Sequence, residues 1–576
     1  MATSGTLVRR SYNNFKGLDT REGEISLNRS PDALNLYRNY KSSNLLETRP
    51  DIELEVEFDS PVYGLFFYEV GLTPQLIVHS GTKLYKVVNG TKTELTFTGF
   101  TGMLPAKSYF FVYKNILYIK DGKNYLWYNG STLASVINCT DNINPTHIPT
   151  TSISRRPNGG GAIYEDVNML CDYRTNTFNA DGDSTAYYLD AQNITGIREV
   201  KVNGVLKSVN TDYTVDLAAG VVNFVAAPEA PDTDGQDNVE ITYIKPASDY
   251  KNRILKCTLL CVFDNRVFFS GNQDYPNVVW HSSLDDPTYV SDLDYYNEGL
   301  DLAKVKALIP GNNALWVCKE PSQANTTVFY HLPTIDAQYG KIYPSSHSSI
   351  STGCVGAGIN FNDDICFFSD RGMEGVSGDI TSEQVLAHRS TFIDTKLLKE
   401  TNYDKMILDE WDGYLLVCID NKIYLADSRQ VTPVNGAYEY DWYYWELDKN
   451  IKSTAVKDGV LYIGCEDGLY TLTNTTNEVE NYWTTPMDTF GYGNYQKITN
   501  KRGCIIECEG EEINVSVKTN KDTMTLIKTF ENVSDYIIAR IKRKKFKDMQ
   551  IKVSSNTHMK LQSIMIESYI GAYVKR

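Results

Sequence analysis

The chain has 576 residues, of which 42% are hydrophobic, and a formal net charge of −16 at pH 7. This length excludes one small compact core and predicts several domains, or fewer if one of them is a large all-β ring. The charge excludes a surface that grips a nucleic-acid backbone as a whole, since phosphate contacts need a basic face. It is compatible with a passage through which DNA slides without adhering.

The composition favours sheet and indicates neither a membrane span nor a zinc site. The 40 tyrosines suit the half-buried surface of a sheet. No run of about 18 apolar residues occurs, so no membrane insertion is predicted, and residues 1–10 lack the apolar core of a secretory signal. The 11 cysteines have no paired spacing, which indicates buried reduced thiols made in a cytosol.

Residues 1–51 carry many charges and few strand patterns, and they are predicted to form an N-terminal docking arm. Ser30 and Pro31 suggest the start of a short helix, with Ser30 as N-cap, and Pro50 ends the segment. The arm either packs on its own domain or docks a neighbouring subunit. The docking hypothesis assigns the contact to Phe15, Arg29, Tyr37 and Arg49.

Residues 52–150 and 250–480 repeat one theme, in which a short apolar run, a turn and a second apolar run follow one another. Such pairs indicate antiparallel hairpins. They lie at 76–78 with 84–85, 117–119 with 125–127, 267–269 with 278–280, 315–317 with 328–330, 365–368, 415–417 with 423–425, and 461–463 with 469–470. Because a propeller blade has about 40–45 residues and four strands, these hairpins predict about seven blades. The spacing is irregular, and a large sandwich or several stacked β-domains is the alternative.

Two further segments differ in character from this repeat. Residues 151–249 begin with a glycine run, and no phosphate-binding motif follows it. The rest of this segment predicts a small antiparallel unit inserted into the larger ring. Residues 481–576 alternate in strand fashion. The predicted fold class is therefore all-β: an irregular β-propeller-like ring with an inserted small β-sandwich module and a C-terminal β-sandwich.

The strongest basic cluster of the chain lies within this last segment. It is either a charged edge strand, which lysines keep from pairing with other chains, or a contact with an acidic partner subunit or with DNA. The contact hypothesis assigns that role to Arg540, Lys542, Arg543, Lys544 and Lys545.

The sequence offers no constellation that supports catalysis, so no catalytic, cofactor-binding or metal-binding residue is predicted. The seven histidines are far apart, and neither a P-loop nor a GxSxG or HExxH motif occurs. The adjacent acids 285–286 and 363–364 lie in turn-like contexts. The aromatic run at 438–445 could stack on sugars, although large aromatics more often fill cores and interfaces.

Three groups of segments carry a resemblance to a known family. The first group is 14–19, 30–37 and 48–50; the second is 265–272, 276–282 and 286–289; the third is 368–372, 389–390 and 393–394. Together they resemble the packaged-DNA stabilisation and tail-nozzle proteins of tailed phages. The inserted unit, at 202–204, 212–216 and 224–228, is similar to small β-modules of phage structural proteins.

The resemblance implies a propeller subunit of an oligomeric ring, commonly a hexamer, at the neck or tail of the virion. Such a ring prolongs the DNA channel below the portal and helps to retain and eject the genome. The implied partners are further copies of the chain, portal, adaptor or other tail proteins, and the packaged DNA. The implied location is the virion, assembled in the host cytoplasm. The alternative function is a baseplate or host-surface glycan-binding protein.

Overall fold

The structure, a computed structural model, describes residues 6–23, 25–41, 45–69, 74–233, 235–247, 249–323, 326–337, 340–377, 385–434, 437–473, 478–542 and 544–573. The chain divides into two compact units, which are Met1–Leu65 with Thr352–Arg576 (unit 1) and Phe66–Ser351 (unit 2). Strands dominate the described residues, and no helix among them is long and apolar enough to cross a membrane. The all-β fold class is confirmed.

The arm contains strands and not the predicted helix. Its strands are β1 (Leu7–Asn13), β2 (Ala33–Leu34), β3 (Leu36–Arg38) and β4 (Leu46–Thr48). The helix predicted at Ser30 is wrong because the Ser30 hydroxyl donates to the carbonyl oxygen of Thr484 at 2.7 Å, and β2 pairs with residues 482 and 483. Pairing with a distant strand overrides the local helix signal.

Strand β5 (Asp51–Glu57) follows, and then two four-stranded sheets whose strands are hydrogen-bonded in chain order. Their strands are β6 (Val62–Tyr68), β7 (Gln75–Ser80), β8 (Lys83–Val88) and β9 (Thr91–Leu95), then β10 (Tyr109–Tyr113), β11 (Ile116–Lys120), β12 (Tyr125–Tyr128) and β13 (Leu133–Ser135).

The inserted module is a small two-sheet sandwich, as predicted. Its strands are β14 (Thr150–Arg155), β15 (Ala162–Ile163), β16 (Tyr173–Phe178), β17 (Ala186–Tyr188), β18 (Gly196–Val202), β19 (Val205–Leu206), β20 (Tyr213–Asp216), β21 (Val221–Phe224) and β22 (Val239–Ile244). One sheet has the order β15-β14-β16-β22-β18-β19 and the other has the order β17-β21-β20. Phe178 and Ile241 of the first sheet and Tyr187 and Phe224 of the second share one buried core.

Helix α1 (Tyr250–Leu255) leads into two more four-stranded sheets of unit 2. Their strands are β23 (Leu259–Phe263), β24 (Arg266–Ser270), β25 (Val278–His281) and β26 (Tyr295–Asn297), then β27 (Val305–Gly311), β28 (Ala314–Lys319), β29 (Val328–His331) and β32 (Ser345–His347), with a small hairpin of β30 (Thr334–Asp336) and β31 (Gly340–Ile342) before β32.

Three four-stranded sheets belong to unit 1, and strand β5 from the N-terminal region completes the last of them by pairing with β43. Their strands are β33 (Cys354–Phe361), β34 (Asp364–Ser369), β35 (Gly372–Ser377) and β36 (Val385–His388), then β37 (Ile407–Trp411), β38 (Tyr414–Ile419), β39 (Lys422–Val434) and β40 (Ala437–Glu446), then β41 (Ser453–Lys457), β42 (Val460–Gly464) and β43 (Gly468–Thr473). Helix α2 (Asp394–Leu397) and a 3₁₀ turn (Tyr403–Lys405) lie between the first two sheets.

The described residues thus contain seven four-stranded sheets of the propeller-blade type, and six of them share a turn. In those six, two residues with positive φ join the first strand to the second, as in hairpin turns that match the strand twist. The turns are Lys114–Asn115, Asp264–Asn265, Asn312–Asn313, Asn362–Asp363, Asp412–Gly413 and Asp458–Gly459. The last four recur at intervals of about 50 residues, the scale of a blade repeat.

The hairpins predicted from the sequence are the second and third strands of these sheets. Among the second strands, β28, β34 and β38 are buried at every position. Burial on both faces explains why these strands read as continuous apolar runs.

The arm and the C-terminal residues form one eleven-stranded sheet in unit 1. Its C-terminal strands are β44 (Asn481–Thr484), β45 (Tyr495–Thr519), β46 (Thr525–Val533), β47 (Tyr536–Ala539), β48 (Lys545–Phe546), β49 (Met549–Ser555) and β50 (Met559–Tyr573). Strand β50 pairs with β1 and β4 of the arm and with β45. The arm, which the sequence analysis separated at residue 51, is therefore not a separate unit but part of the C-terminal sheet.

Candidate functional site: a buried arm junction and an exposed basic surface

The arm lies along strand β40, and we call this region the arm junction. The Leu18 amide donates to the Trp442 carbonyl at 2.7 Å, and the Asn35 amide donates to the Tyr444 carbonyl at 2.9 Å. Gly17, at φ +82°, passes so close that a Cβ on it would lie 2.1 Å from the Trp442 carbonyl oxygen. The close approach and the positive φ both require glycine here.

Arg29 anchors the arm junction from inside. It is 2% exposed, it pairs with the buried carboxylate of Asp441, and it donates to the Thr432 hydroxyl at 2.8 Å. Its guanidinium also lies 3.7 Å from the centre of the Phe392 ring. Burial raises the pKa of Asp441, although Arg29 opposes the rise. Each charge of the pair compensates the other, and either one would be costly to bury alone.

The other residues predicted to dock a neighbouring subunit are also interior. Phe15 packs edge-on against Trp483 with ring centres 4.8 Å apart, and Tyr37 packs against Trp445 at 5.2 Å. Arg49 donates to the Asn35 side chain at 3.1 Å. This corrects the expectation that Phe15, Arg29, Tyr37 and Arg49 face a neighbour, because packing within their own chain already occupies them. Docking of the arm to another subunit stays a prediction that would need other residues.

A second buried ion pair, Arg389 with Asp364, lies beside the arm junction. Arg389 donates to the two carboxylate oxygens at 2.8 and 3.1 Å, and the Tyr440 hydroxyl donates to Asp364 at 2.9 Å. Both partners are almost fully buried, at 2% and 5% side-chain exposure. Asp363 lies in the predicted turn. Asp364 begins β34, and its carboxylate is too buried for a substrate in solution to reach it.

A serine, a histidine and an aspartate lie together next to this pair, but their hydrogen bonds are not those of a catalytic triad. His388 donates to Asp394 at 2.7 Å and to Glu374 at 3.1 Å. Burial lowers its pKa, but the bonds to the two carboxylates outweigh this and raise it to about 10. A protonated imidazole cannot accept a proton from a serine. Ser390 is fully buried, and its hydroxyl donates to Asp394 at 2.7 Å.

Gly372 makes room for this cluster. It has φ +129°, and a Cβ on it would lie 2.4 Å from the Ser390 hydroxyl oxygen and 2.6 Å from an Asp394 oxygen. The segments 368–372, 389–390 and 393–394, which carry the third part of the resemblance, therefore meet in one packed cluster.

The aromatic run at 438–445 is not a sugar-stacking surface. Tyr440, Trp442, Tyr443, Tyr444 and Trp445 are all buried and belong to the core of unit 1. They form the wall against which the arm packs.

The basic surface lies on the C-terminal sheet and contains more residues than the sequence cluster. Its exposed members are Lys501, Arg502, Arg540, Lys542, Lys544, Lys545 and Lys547. Gly503 brings the two segments together, since a Cβ on it would lie 3.3 Å from the Arg540 Cα. Lys501 and Arg502 sit in an irregularity of β45, where the register against β50 shifts between Thr499 and Cys504. The predicted Arg543 lies outside the described residues.

Charge on the basic surface is largely uncompensated. Lys544 pairs with Asp522 at 2.5 Å, and both are exposed. Among the residues that the structure describes, no carboxylate lies within ion-pair distance of the other six cations. Such a surface attracts an acidic partner.

Two buried polar contacts of unit 2 support structure. His331 pairs with Glu298 at 2.8 Å, both fully buried, and Lys120 donates to the carbonyl oxygens of Leu255 and Cys257 at 2.6 and 2.8 Å. Burial lowers the pKa of Lys120 to about 8. Across the described part of the chain, no group of three or more His, Cys, Asp or Glu residues could hold a metal ion.

The chain matches no family model and no curated protein. Among solved structures it is similar to BamB from Moraxella catarrhalis, at 9% identity over 74% of this chain and 96% of that chain, with a TM-score of 0.34. It is also similar to the WD40 domain of SCAP from fission yeast, at 8% identity over 88% and 98%, with a TM-score of 0.26. An exo-β-1,3-galactanase from Phanerochaete chrysosporium matches at 9% identity over 82% and 98%, with a TM-score of 0.18. Likenesses this weak carry no argument about function, and the fold class follows from the sheet topology.

Proposed function

We propose that this chain is a structural subunit of a tailed-phage virion, located at the neck or tail. In this role it forms an oligomeric ring, as a nozzle or DNA-stabilisation ring does, that extends the DNA channel and helps to retain and eject the genome. Its partners are further copies of itself, portal, adaptor or other tail proteins, and the DNA that passes through. It is assembled in the host cytoplasm.

The observation that carries the proposal is the convergence of the resemblance segments. Segments 14–19, 30–37 and 48–50 of the arm pack against β40, and segment 389–394 contacts the same strand and the arm. The Thr20 amide donates to the Phe392 carbonyl at 2.7 Å, and the Trp442 indole donates to the Arg389 carbonyl at 2.8 Å. Residues that are far apart in sequence thus build one architectural joint.

The chemistry of the arm junction favours a mechanical role over turnover. Its charged groups are buried and paired, its histidine is protonated at neutral pH, and its serine has no solvent access. These groups hold an arm in place and leave no nucleophile or base for a substrate. A net charge of −16 suits a wall along which DNA moves without adhering.

Immunogold labelling of intact particles tests the location. Polyclonal antibody raised against the purified full chain is expected to label the neck or tail tube, and pre-immune serum serves as the control. Labelling confined to fibre tips or baseplate would refute the neck or tail assignment and favour the host-surface alternative. Absence of the chain from purified particles, measured by mass spectrometry, would refute a virion role altogether.

A further inference from the structure

We propose that the basic surface of one copy docks the exposed acidic edge of β5 on a second copy. This inference rests on the proposed ring, and it names the two surfaces that join neighbouring subunits. The acidic edge consists of Glu53, Leu54, Glu55, Glu57 and Asp59, all exposed.

The acidic edge is an open sheet edge. Among the described strands β5 pairs with β43 alone, so it is the edge strand of its sheet. A β-bulge lies at Glu55, because Leu469 pairs with Val56 while Tyr470 pairs with Leu54. A bulge of this kind twists an edge and re-aims its side chains. No cation lies within ion-pair distance of Glu53 or Glu55 among the described residues.

The basic surface has an apolar part that points to a protein partner. Along β47 the side chains alternate, so that Tyr536 and Ile538 share the outward face with Arg540 while Ile537 and Ala539 are buried. Tyr536 is 56% exposed and Ile538 is 38% exposed. Phosphate groups offer no apolar contact for Ile538, whereas a protein strand with an exposed apolar residue does.

The acidic edge supplies that apolar residue. Leu54 is 47% exposed and lies between Glu53 and Glu55. Both surfaces therefore combine exposed charge with exposed apolar area, and their charges are opposite. Every copy of the chain carries this complementary edge, so a second copy can supply it.

The two surfaces differ, so the contact is heterologous. Repetition of a heterologous contact generates a ring when the rotation closes, and an open filament when it does not. Contacts between exposed charges are screened by salt, and salt is therefore expected to weaken the assembly.

Charge reversal tests the pairing of the two surfaces. One variant, K542E/K545E, reverses part of the basic surface, and a second, E53K/E55K, reverses part of the acidic edge. Each alone is expected to weaken self-association at least about a hundredfold in sedimentation velocity at low salt, since like charges then face each other. An equimolar mixture of the two is expected to assemble again, because each interface in the mixture joins opposite charges.

A matched control separates the proposed contact from a general effect of charge. K399E/K405E makes the same change in charge as K542E/K545E, at other exposed residues of unit 1, and is expected to assemble like the unchanged chain. Circular dichroism checks that all variants fold.

The outcomes distinguish this inference from the proposed function. Rings that persist in both reversal variants, or a mixture that fails to assemble, would overturn the proposed contact and leave a ring with another interface. An unchanged chain that stays monomeric at all concentrations and salt levels would count against the ring itself. Duplex DNA that binds K542E/K545E more weakly while assembly is unchanged would reassign the basic surface to nucleic acid.

Discussion

Replacing Arg389 with methionine should destabilise unit 1 by leaving the Asp364 carboxylate buried without its cation. The two side chains are 2% and 5% exposed, so water cannot solvate the remaining charge. Removal of one partner of a buried pair costs about 3–5 kcal/mol. Because the Tyr440 hydroxyl still donates to Asp364 at 2.9 Å, we expect the lower end of that range, about 3 kcal/mol.

The reciprocal change, Asp364→Leu, leaves the Arg389 guanidinium with the Tyr438 carbonyl, to which it donates at 2.8 Å. We expect a loss of about 3 kcal/mol here as well. The double variant D364L/R389M contains neither charge and is expected to lose no more than either single variant. The coupling between the two positions is therefore about 3 kcal/mol, at the upper end for residues in contact.

Urea unfolding followed by tryptophan fluorescence measures these losses. The Trp442 indole donates to the Arg389 carbonyl, so it reports on this region of unit 1. Lys544→Met, which breaks the exposed pair with Asp522, is the matched control and should cost less than about 1 kcal/mol. Single losses that add up in the double variant would refute the argument, since the pair would then not act as a coupled unit.

Three further predictions concern pH and the arm. His388 has a pKa raised to about 10, so it contributes at most about 5 kcal/mol, which is complete below pH 6.5 and is lost as pH rises to 10. The unfolding midpoint of the unchanged chain should therefore fall over this window more than that of H388Q. Lys120 should have the opposite effect on the pH dependence of stability. Because its pKa is lowered to about 8, the free energy of unfolding of unit 2 should rise by about 3 kcal/mol as pH rises from 8 to 10.5. K120M should abolish this rise in the same titration. Gly17→Ala should release the arm to limited proteolysis, whereas Gly90→Ala, also at positive φ but with open space around it, should not.

The sequence predicted those strands whose burial leaves a local pattern. The central strands are apolar on both faces. Turns such as Asn362–Asp363 indicate hairpins, because asparagine and aspartate are typical turn residues. The outer strands did not stand out, because they mix exposed and buried positions. β9 is exposed at four of its five residues and resembles a loop in sequence.

The candidate site was only partly predictable, because contacts between distant segments determine it. Arg29 and Asp441 are more than 400 residues apart, and nothing near either residue indicates its partner. Lys501 and Arg502 were missed since two adjacent cations are common on any surface, and only the approach of Gly503 to Arg540 joins them to the basic surface. The prediction that arm residues face a neighbour rested on residue type, which does not distinguish an interior anchor from an interface anchor.

The arm junction and the acidic edge are linked through Arg49. Strand β4 ends at Thr48 and β5 begins at Asp51, so Arg49 and Pro50 connect the arm directly to the edge strand. Arg49 is buried and is held by the Asn35 side chain and by the Glu446 carbonyl, to which it donates at 3.3 Å. Any other placement of Arg49 would leave its buried guanidinium without these acceptors, which is costly. The arm junction therefore fixes where β5 starts, and a displaced arm would move the acidic edge.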